Sequence, residues 1–424
     1  MGNKKIDSDL FTLADFMKGD GNVFETEAPD FFHFLEDGRQ KKRFHYERPL
    51  LSACKNRVAI YDYYTKSPKE MIMMASNNYL GLSTHPKVID AGIRAGQKYG
   101  FGSGSVPLFS GTYDLHRELE KEIADLLGQE DTVLFSSGYV ANIACLASLG
   151  RKNDVIIHDR MNHASLLDGN VFSKAAFKIF SHNSADKLER VLKNCRQFEK
   201  KIIVTDGVFS MDGDIANLPA IKRLAEMYNA AVVIDDAHAL GVIGRSGRGT
   251  AEYFDMEGEV DIVTGCMSKS LGSIGGFVAS TREIVNYIRY YGRSNMFSSS
   301  LPPPDIAASL AAIGVLKAEP TLGQKLRENI AYMKTHLTRM NLDIGNSQSA
   351  IIPIIIGDEL KLRDMIRSLH EQCVYANAVP YPAVPRHLSR IRLSIMSSHT
   401  KDDLDETLAA VELGAEKVGL RRDE

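Results

Sequence analysis

The 424-residue sequence contains no tryptophan, only five cysteines and no apolar run long enough to span a bilayer. None of the cysteines has a CxxC or metal-ligand spacing, and their odd number argues against a disulfide framework. The opening residues, MGNKKIDSDL, lack the apolar core of a signal peptide. We therefore expect a cytoplasmic protein with reduced thiols, no metal site and no transmembrane segment.

Charge and composition narrow the class of protein further. The formal net charge is −3, so the charge balance does not favour nucleic acid or an anionic membrane as a partner. Hydrophobic residues make up 44% and charged residues 25% of the chain, as in an ordinary globular protein. No GxGxxG follows an early strand, which argues against a nicotinamide-binding Rossmann domain.

Short β-branched runs separated by helical patterns predict an α/β fold with a mostly parallel central sheet. The clearest unit is a strand at 201–205, a helix at 218–228 and a strand at 231–234, the order of a βαβ crossover. Further strands are predicted at 71–75, 132–136, 155–157 and 260–264, and a long helical stretch at 306–340. We predict an N-terminal arm (1–65), a large α/β domain (66–305) and a smaller α+β C-terminal domain (306–424).

Polar side chains follow two of these strands, at the sheet edge where open α/β folds carry their chemistry. The strand at 231–234 is followed by Asp235 and His238. The strand at 260–264 is followed by Cys266, Ser268 and Lys269. A lysine is a useful nucleophile when it is desolvated or crowded by charge, and its main role then is a Schiff base to a carbonyl. An acid, an imidazole and a lysine are therefore expected to meet at one edge of the sheet.

This combination favours a site for pyridoxal 5'-phosphate (PLP). Asp235 can keep a pyridine nitrogen protonated, and His238 can donate to a phenolic oxygen. The segment Ser137-Gly138-Tyr139, before an apolar helix, suits a phosphate, and His163 can stack on the ring. Each residue alone has a plainer interpretation, because loop lysines are usually solvated and strand-end aspartates often cap helices. Together they are hard to explain by packing.

Nine segments resemble the α-oxoamine synthase family of PLP enzymes, which has the aspartate aminotransferase fold (PLP-dependent transferase fold type I). This group includes serine palmitoyltransferase, 5-aminolevulinate synthase, 2-amino-3-ketobutyrate CoA ligase and 8-amino-7-oxononanoate synthase. The segments keep the family's order and cover roughly residues 70–400. They are SNNYLGLSTHP, SGTYDLHRELE, FSSGYVAN, DRMNHASLLDG, TDGVFSMDGDIANL, DDAHALGV, SKSLGSIGGF, FSSSLPP and SRIRLSIMSSHT.

The resemblance implies roles in cofactor binding. Lys269 matches the lysine that carries PLP as a Schiff base and moves protons. Asp235 matches the partner of the pyridine nitrogen, and His238 the donor to the phenolic oxygen. With His163, which matches the imidazole stacked on the ring, these are the expected catalytic residues. The other implied cofactor-binding residues are Ser137, Gly138, Tyr139, Ser210, Cys266, Ser268 and, across a homodimer, Ser298 or Ser299.

The resemblance also implies substrate contacts, with two departures from the family pattern. Arg392 matches the arginine that clamps the amino-acid carboxylate, a role that suits a planar bidentate donor, and Asn77 matches a polar contact near it. Cys266 stands where the family usually has a phosphate-binding threonine, and a thiol is a weaker donor. Pro107 stands where several relatives carry arginine, in a loop that borders the substrate, so substrate specificity is not carried over.

The implied activity is a decarboxylative Claisen condensation of a small α-amino acid with an acyl thioester, carried on CoA or an acyl carrier protein. Its products are an α-amino ketone, CO2 and a free thiol. We expect glycine, serine or alanine as the amino acid, and a homodimer with its active site at the subunit interface. Two alternatives are a PLP aminotransferase or lyase for a small amino acid, and a non-catalytic subunit of a heteromeric synthase. The presence of Lys269 argues against the second alternative.

Overall fold

The computed structural model describes residues 6–16 and 21–420 of the chain. Its strands, in chain order, are β1 (Arg57–Asp62), β2 (Ser67–Met73), β3 (Asp131–Phe135), β4 (Val155–Asp159), β5 (Ala176–Phe180), β6 (Lys201–Asp206), β7 (Ala230–Asp235), β8 (Ile262–Cys266), β9 (Gly276–Ser280), β10 (Ile351–Ile355), β11 (Val374–Tyr375), β12 (Asn377–Val379) and β13 (Arg390–Ser394).

Helices separate most of these strands. They are α1 (Ala28–Gln40), α2 (Pro86–Tyr99), α3 (Asp114–Leu127), α4 (Gly138–Leu149), α5 (Ala164–Phe172), α6 (Ala185–Lys193), α7 (Leu218–Tyr228), α8 (Thr250–Tyr253), α9 (Arg282–Tyr291), α10 (Arg293–Met296), α11 (Pro303–Ala318), α12 (Thr321–Arg339), α13 (Glu359–Glu371) and α14 (Lys401–Lys417).

The described residues form two compact units. The first unit comprises residues 6–16, 21–76, 328–347 and 351–420, and the second comprises residues 77–327 and 348–350. The N-terminal segment therefore lies in the same unit as most of the C-terminal segment. Boundaries near residues 65 and 305 remain a prediction from the sequence.

A seven-stranded sheet organises the second unit, in the order β3-β9-β8-β7-β6-β4-β5. Strands β4 to β8 run parallel, and β9 is antiparallel to both β3 and β8. The central strands are buried along nearly their whole length, which explains their apolar, β-branched sequences. The expected mostly parallel sheet and the βαβ unit of β6, α7 and β7 are confirmed.

The first unit contains two small sheets, β1-β2-β11 and β10-β13-β12. The apolar run predicted as a strand at 71–75 forms the end of β2 and pairs with β1 and β11, outside the seven-stranded sheet. Its sequence resembles that of the central strands, because Met71 to Met74 are also buried. Local sequence does not reveal which distant segments a strand pairs with. The sheet to which β2 belongs therefore could not be predicted from the sequence.

The long helical stretch predicted at 306–340 consists of two helices. Helix α11 ends at Ala318 and α12 begins at Thr321, with Pro320 between them. Proline has no backbone N–H to donate, so it ends the first helix where the apolar periodicity alone suggested continuation. Among the described residues, no single helix is long and apolar enough to cross a membrane; α11 and α12 meet those criteria only together, as a bent pair.

Candidate active site

The carboxyl ends of the central strands surround a cavity of about 210 Å³ in the second unit. Parallel strands present their carboxyl ends at the same edge of a sheet, so residues far apart in sequence meet there. The cavity is lined by Ser137, Gly138, Tyr139, Asn142, His163, Ser165, Asp206, Val208, Asp235, Ala237, His238, Cys266, Ser268 and Lys269. Most of the residues predicted for the cofactor site therefore lie together.

Asp235, the last residue of β7, is held as a hydrogen-bond acceptor at both carboxylate oxygens. Asn142 Nδ2 donates to its Oδ2 at 2.7 Å, and the backbone N–H of Ala237 donates to its Oδ1 at 2.9 Å. The side chain is only 7% exposed. These two donors hold the carboxyl group of Asp235 in place at the wall of the cavity.

Asn142, on the buried face of α4, orients a chain of hydrogen bonds that the sequence analysis missed. Its Oδ1 accepts from Thr264 Oγ1 at 2.6 Å, which directs its Nδ2 towards Asp235 and towards Ser165 Oγ, 2.8 Å away. Ser165 Oγ lies 2.7 Å from Nδ1 of His163. The helix pattern of α4 gave no reason to single out this one buried amide.

His163 caps the N-terminus of α5 and borders the cavity. The backbone N–H of Ser165 donates to its Nδ1 at 3.3 Å, so Nδ1 is an acceptor and the proton of the neutral ring lies on Nε2. Loss of solvation lowers the pKa of His163; the charge of Lys269 acts in the same direction, and the charge of Asp235 opposes it. A neutral imidazole with an Nε2–H donor therefore faces the cavity.

His238 follows β7 and is positioned by a residue that the sequence analysis did not identify. The hydroxyl of Tyr79 lies 2.7 Å from Nδ1 of His238, and the side chains are 0% and 8% exposed respectively. The same hydroxyl lies 3.1 Å from Oδ1 of Asn77. Asn77 does not line the cavity, so in this unit it is connected to the site through Tyr79 and His238.

The N-terminus of α4 lies at the cavity wall, and the first backbone N–H groups of a helix have no acceptor within the helix itself. Ser137 caps this helix, and its Oγ accepts from the backbone N–H of Val140 at 3.2 Å. A methyl group at Gly138 would come within 2.9 Å of the Cβ of Cys266, so glycine allows helix and strand to approach closely. A helix N-terminus attracts anions, and this one therefore suits a phosphate group.

Other predicted residues are not among those lining the cavity. Ser210 is buried in the turn after β6, and Ser298 and Ser299 line a separate cavity of about 30 Å³. Arg392 lies on β13 in the first unit, where its Nη1 donates to Ser394 Oγ at 2.9 Å. It is 5% exposed, so it is not a solvated surface charge. The roles of these residues remain predictions.

The sequence and the fold match known proteins over most of the chain. The family model for aminotransferase class I and II matches residues 69–411. The chain is 44% identical to 8-amino-7-oxononanoate synthase of Thermoanaerobacter pseudethanolicus over 352 residues, 83% of this chain and 88% of that one. It is 38% identical to serine palmitoyltransferase of Sphingobacterium spiritivorum over 383 residues, 90% of this chain and 94% of that one.

A solved structure agrees with these sequence matches. The structure of Sphingomonas wittichii serine palmitoyltransferase superposes with a TM-score of 0.89 at 28% identity, covering 95% of this chain and all of that one. Fold and cavity together define a PLP-dependent enzyme of fold type I. The chain belongs to the aminotransferase class I and II family and, within it, to the α-oxoamine synthases, which are PLP-dependent acyltransferases. The expected fold class, cofactor and enzyme class are thus confirmed.

Proposed function

We propose that this protein condenses a small α-amino acid with an acyl thioester, with loss of CO2, and releases an α-amino ketone and a free thiol. The observation that carries the proposal is the convergence of Lys269, Asp235 and the N-terminus of α4 on one cavity. The relatives named above are synthases of this group, and their resemblance supports the same reaction here.

The residues around the cavity fit PLP by their chemistry. The N-terminus of α4 provides backbone donors for the phosphate, and Asp235 provides a negative charge that keeps the pyridine nitrogen protonated. When bound, PLP supplies an electron sink that stabilises a carbanion at the α-carbon of an amino acid. Cys266 contributes little to phosphate binding, because its Sγ lies against the carbonyl of Ala237 at 3.9 Å. Ser268, which is exposed to the cavity, is the better hydroxyl donor.

Proton transfer falls to Lys269, and His163 acts as a hydrogen-bond donor. The amine of Lys269 lines the cavity and is the base that takes the α-proton of the amino acid and returns a proton to the product. The Nε2–H of His163 donates a hydrogen bond to a substrate oxygen, since its Nδ1 is already occupied by Ser165. We assign Arg392 and Asn77 to recognition of the amino-acid carboxylate on the basis of the family pattern.

The experiment is a stoichiometric assay with PLP-loaded protein, glycine, alanine and serine, and a panel of acyl-CoA thioesters. Condensation predicts CO2 and free thiol in equal amounts with one preferred amino acid. An aminotransferase would instead convert a keto acid without releasing either product. Release of a keto acid product without CO2 and thiol would overturn the proposal.

We further propose a cytoplasmic homodimer in which Ser298 and Ser299 act on the phosphate in the partner's site. In support, these serines line a different cavity from that of Lys269 within the same chain. Sedimentation of the PLP-loaded protein tests the dimer, and a monomer at assay concentrations would contradict it.

A further inference from the structure

Asp206 is a second acidic residue in the cavity, and neither the family pattern nor the strand analysis assigned it a role. It is the last residue of β6 and lies directly opposite Asp235 in the parallel pairing of β6 with β7. Residues in register on neighbouring parallel strands point to the same face of the sheet. Both carboxyl groups line the cavity, and they are 3% and 7% exposed.

The two carboxyl groups have different sets of hydrogen-bond donors. Asp235 accepts from the Asn142 side chain and from the backbone N–H of Ala237. Asp206 accepts at Oδ1 from the backbone N–H of His163, at 3.1 Å. Among the residues that the structure describes, no group donates to Oδ2 of Asp206. The carboxyl group of Asp235 therefore accepts two hydrogen bonds, whereas that of Asp206 accepts one.

Adjacent buried carboxyl groups do not both ionise readily, because each charge is poorly solvated and repels the other. Burial, and then the charge of Asp235, raise the pKa of Asp206 well above its usual value. The hydrogen bond from His163 and the charge of Lys269 lower the pKa of Asp206, but they do not outweigh burial and repulsion. The raised pKa of Asp206 and the lack, among the described residues, of a donor to its Oδ2 both favour the neutral form of this carboxyl group.

We propose that Asp206 is a further cofactor-binding residue, a neutral carboxylic acid that donates a hydrogen bond to an oxygen of the bound cofactor beside the ionised Asp235. This inference rests on the proposed function, since it takes the cavity to be the PLP site. Asp206 and Asp235 are the two acidic residues among those that line the cavity, so a neutral Asp206 leaves Asp235 as the anion that faces the pyridine nitrogen. Amide and protonated carboxyl side chains are interchangeable donors in such a role.

The test compares D206N with D235N, two substitutions of identical size on neighbouring strands. In D206N, asparagine keeps a donor and no charge, so we expect the Kd for PLP to change by less than about threefold. In D235N the anion is lost, and we expect PLP to bind at least about 30-fold more weakly. D206A, which removes the donor, should weaken PLP binding about tenfold. The Kd is measured by titrating the visible absorbance of bound PLP.

A second readout uses the protein without cofactor. Near neutral pH the infrared difference spectrum between wild type and D206N should contain the carbonyl stretch of a protonated carboxylic acid. Absence of the band, or equal losses of PLP affinity in D206N and D235N, would overturn the inference. Failure of the wild type to bind PLP would refute the proposed function instead, and the infrared result would still decide the protonation of Asp206.

Discussion

Asp235 ends β7 and Asp236 directly follows it, but the two have different roles, because successive residues of an extended chain point in opposite directions. Asp235 faces the cavity. Asp236 faces away from it and accepts from the hydroxyl and backbone N–H of Thr250, at 2.6 and 2.9 Å. Burial raises the pKa of Asp236 to about 6, and its hydrogen bonds from Thr250 oppose this shift. The sequence shows two acidic residues at the end of a strand. The alternation of side-chain direction along the extended chain decides which of them faces the site.

At the scale of single residues, replacing Asn142 tests how much its hydrogen bond supports the carboxylate of Asp235. In Asn142→Ala, one of the two donors to the carboxylate is lost, together with the contact that orients Ser165 towards His163. Hydrogen bonds to charged groups contribute roughly 1.5–3 kcal/mol, so we expect PLP to bind at least about tenfold more weakly. Titration of the visible absorbance of PLP measures this change.

Ser148→Ala on the same helix is the matched control for Asn142→Ala. Ser148 is also buried, but its hydroxyl donates to the carbonyl of Cys145 and contacts nothing in the cavity. PLP affinity in Ser148→Ala should equal that of the wild type. Equal affinities in both variants would show that Asn142 does not support Asp235.

At the scale of elements, the sequence predicted those strands whose apolar runs end in polar residues. This signal identified β4, β6, β7 and β8, and with them Asp235 and Lys269. The same signal was present at Asp206, at the end of β6, and was not used. Strand β9 was missed because it follows a glycine-rich loop and pairs antiparallel with both the preceding β8 and the distant β3. Tyr79 and Asn142 were not predictable, because their partners are 159 and 93 residues away.

Gly138 allows α4 to approach β8 closely, and substitutions at Gly138 and Cys266 test this contact between the two elements. Gly138→Ala places a methyl group 2.9 Å from the Cβ of Cys266, and such overpacking costs about 1–3 kcal/mol of stability. Because the start of α4 would shift, PLP affinity should also fall. Thermal unfolding and PLP titration measure the two effects.

Adding Cys266→Gly to Gly138→Ala should restore part of the stability and affinity, since it removes the nearest of the atoms that the new methyl group meets. Adding Cys266→Ser retains that Cβ and should not restore them. The prediction fails if both double variants behave alike.

His182 connects β4 to the turn that carries Ser210. Its Nδ1 and Nε2 each lie 2.9 Å from a carboxylate oxygen, of Asp159 and Asp214 respectively. Burial acts to lower the pKa of His182, but the hydrogen bonds to Asp159 and Asp214 outweigh it and raise the pKa to about 10. The charged ring therefore stabilises the folded state.

The sign of the pH dependence follows from that raised pKa. Stabilisation by His182 is fully present below the unfolded-state pKa of about 6.5 and is lost as the pH rises through about 10. His182→Gln should be less stable than the wild type by about 2 kcal/mol at pH 6, and the difference should shrink towards pH 10. Urea unfolding at several pH values measures it, with the exposed His33→Gln as control. A difference that does not change with pH would contradict the charged bridge.

At the scale of the whole molecule, the proposal of an active site shared between subunits can be tested with mixed dimers. Lys269→Ala and the double variant Ser298→Ala/Ser299→Ala should each have little activity alone. If the serines act in the partner's site, a mixed dimer contains one site with both groups intact. Random mixing then restores about a quarter of wild-type activity, because half of the dimers are mixed and each has one intact site of two. No recovery would show that the serines act within their own chain or not at all.

The central claim is that Lys269 is the residue that holds PLP, and reductive trapping tests it most directly. Borohydride reduces the carbon–nitrogen double bond between PLP and a lysine to a stable amine. After proteolysis, mass spectrometry locates the pyridoxyl group. We predict one modified residue per chain, at Lys269, and no modification in a folded Lys269→Ala variant. A label on another lysine, or no label on PLP-saturated wild-type protein, would contradict this account of the site.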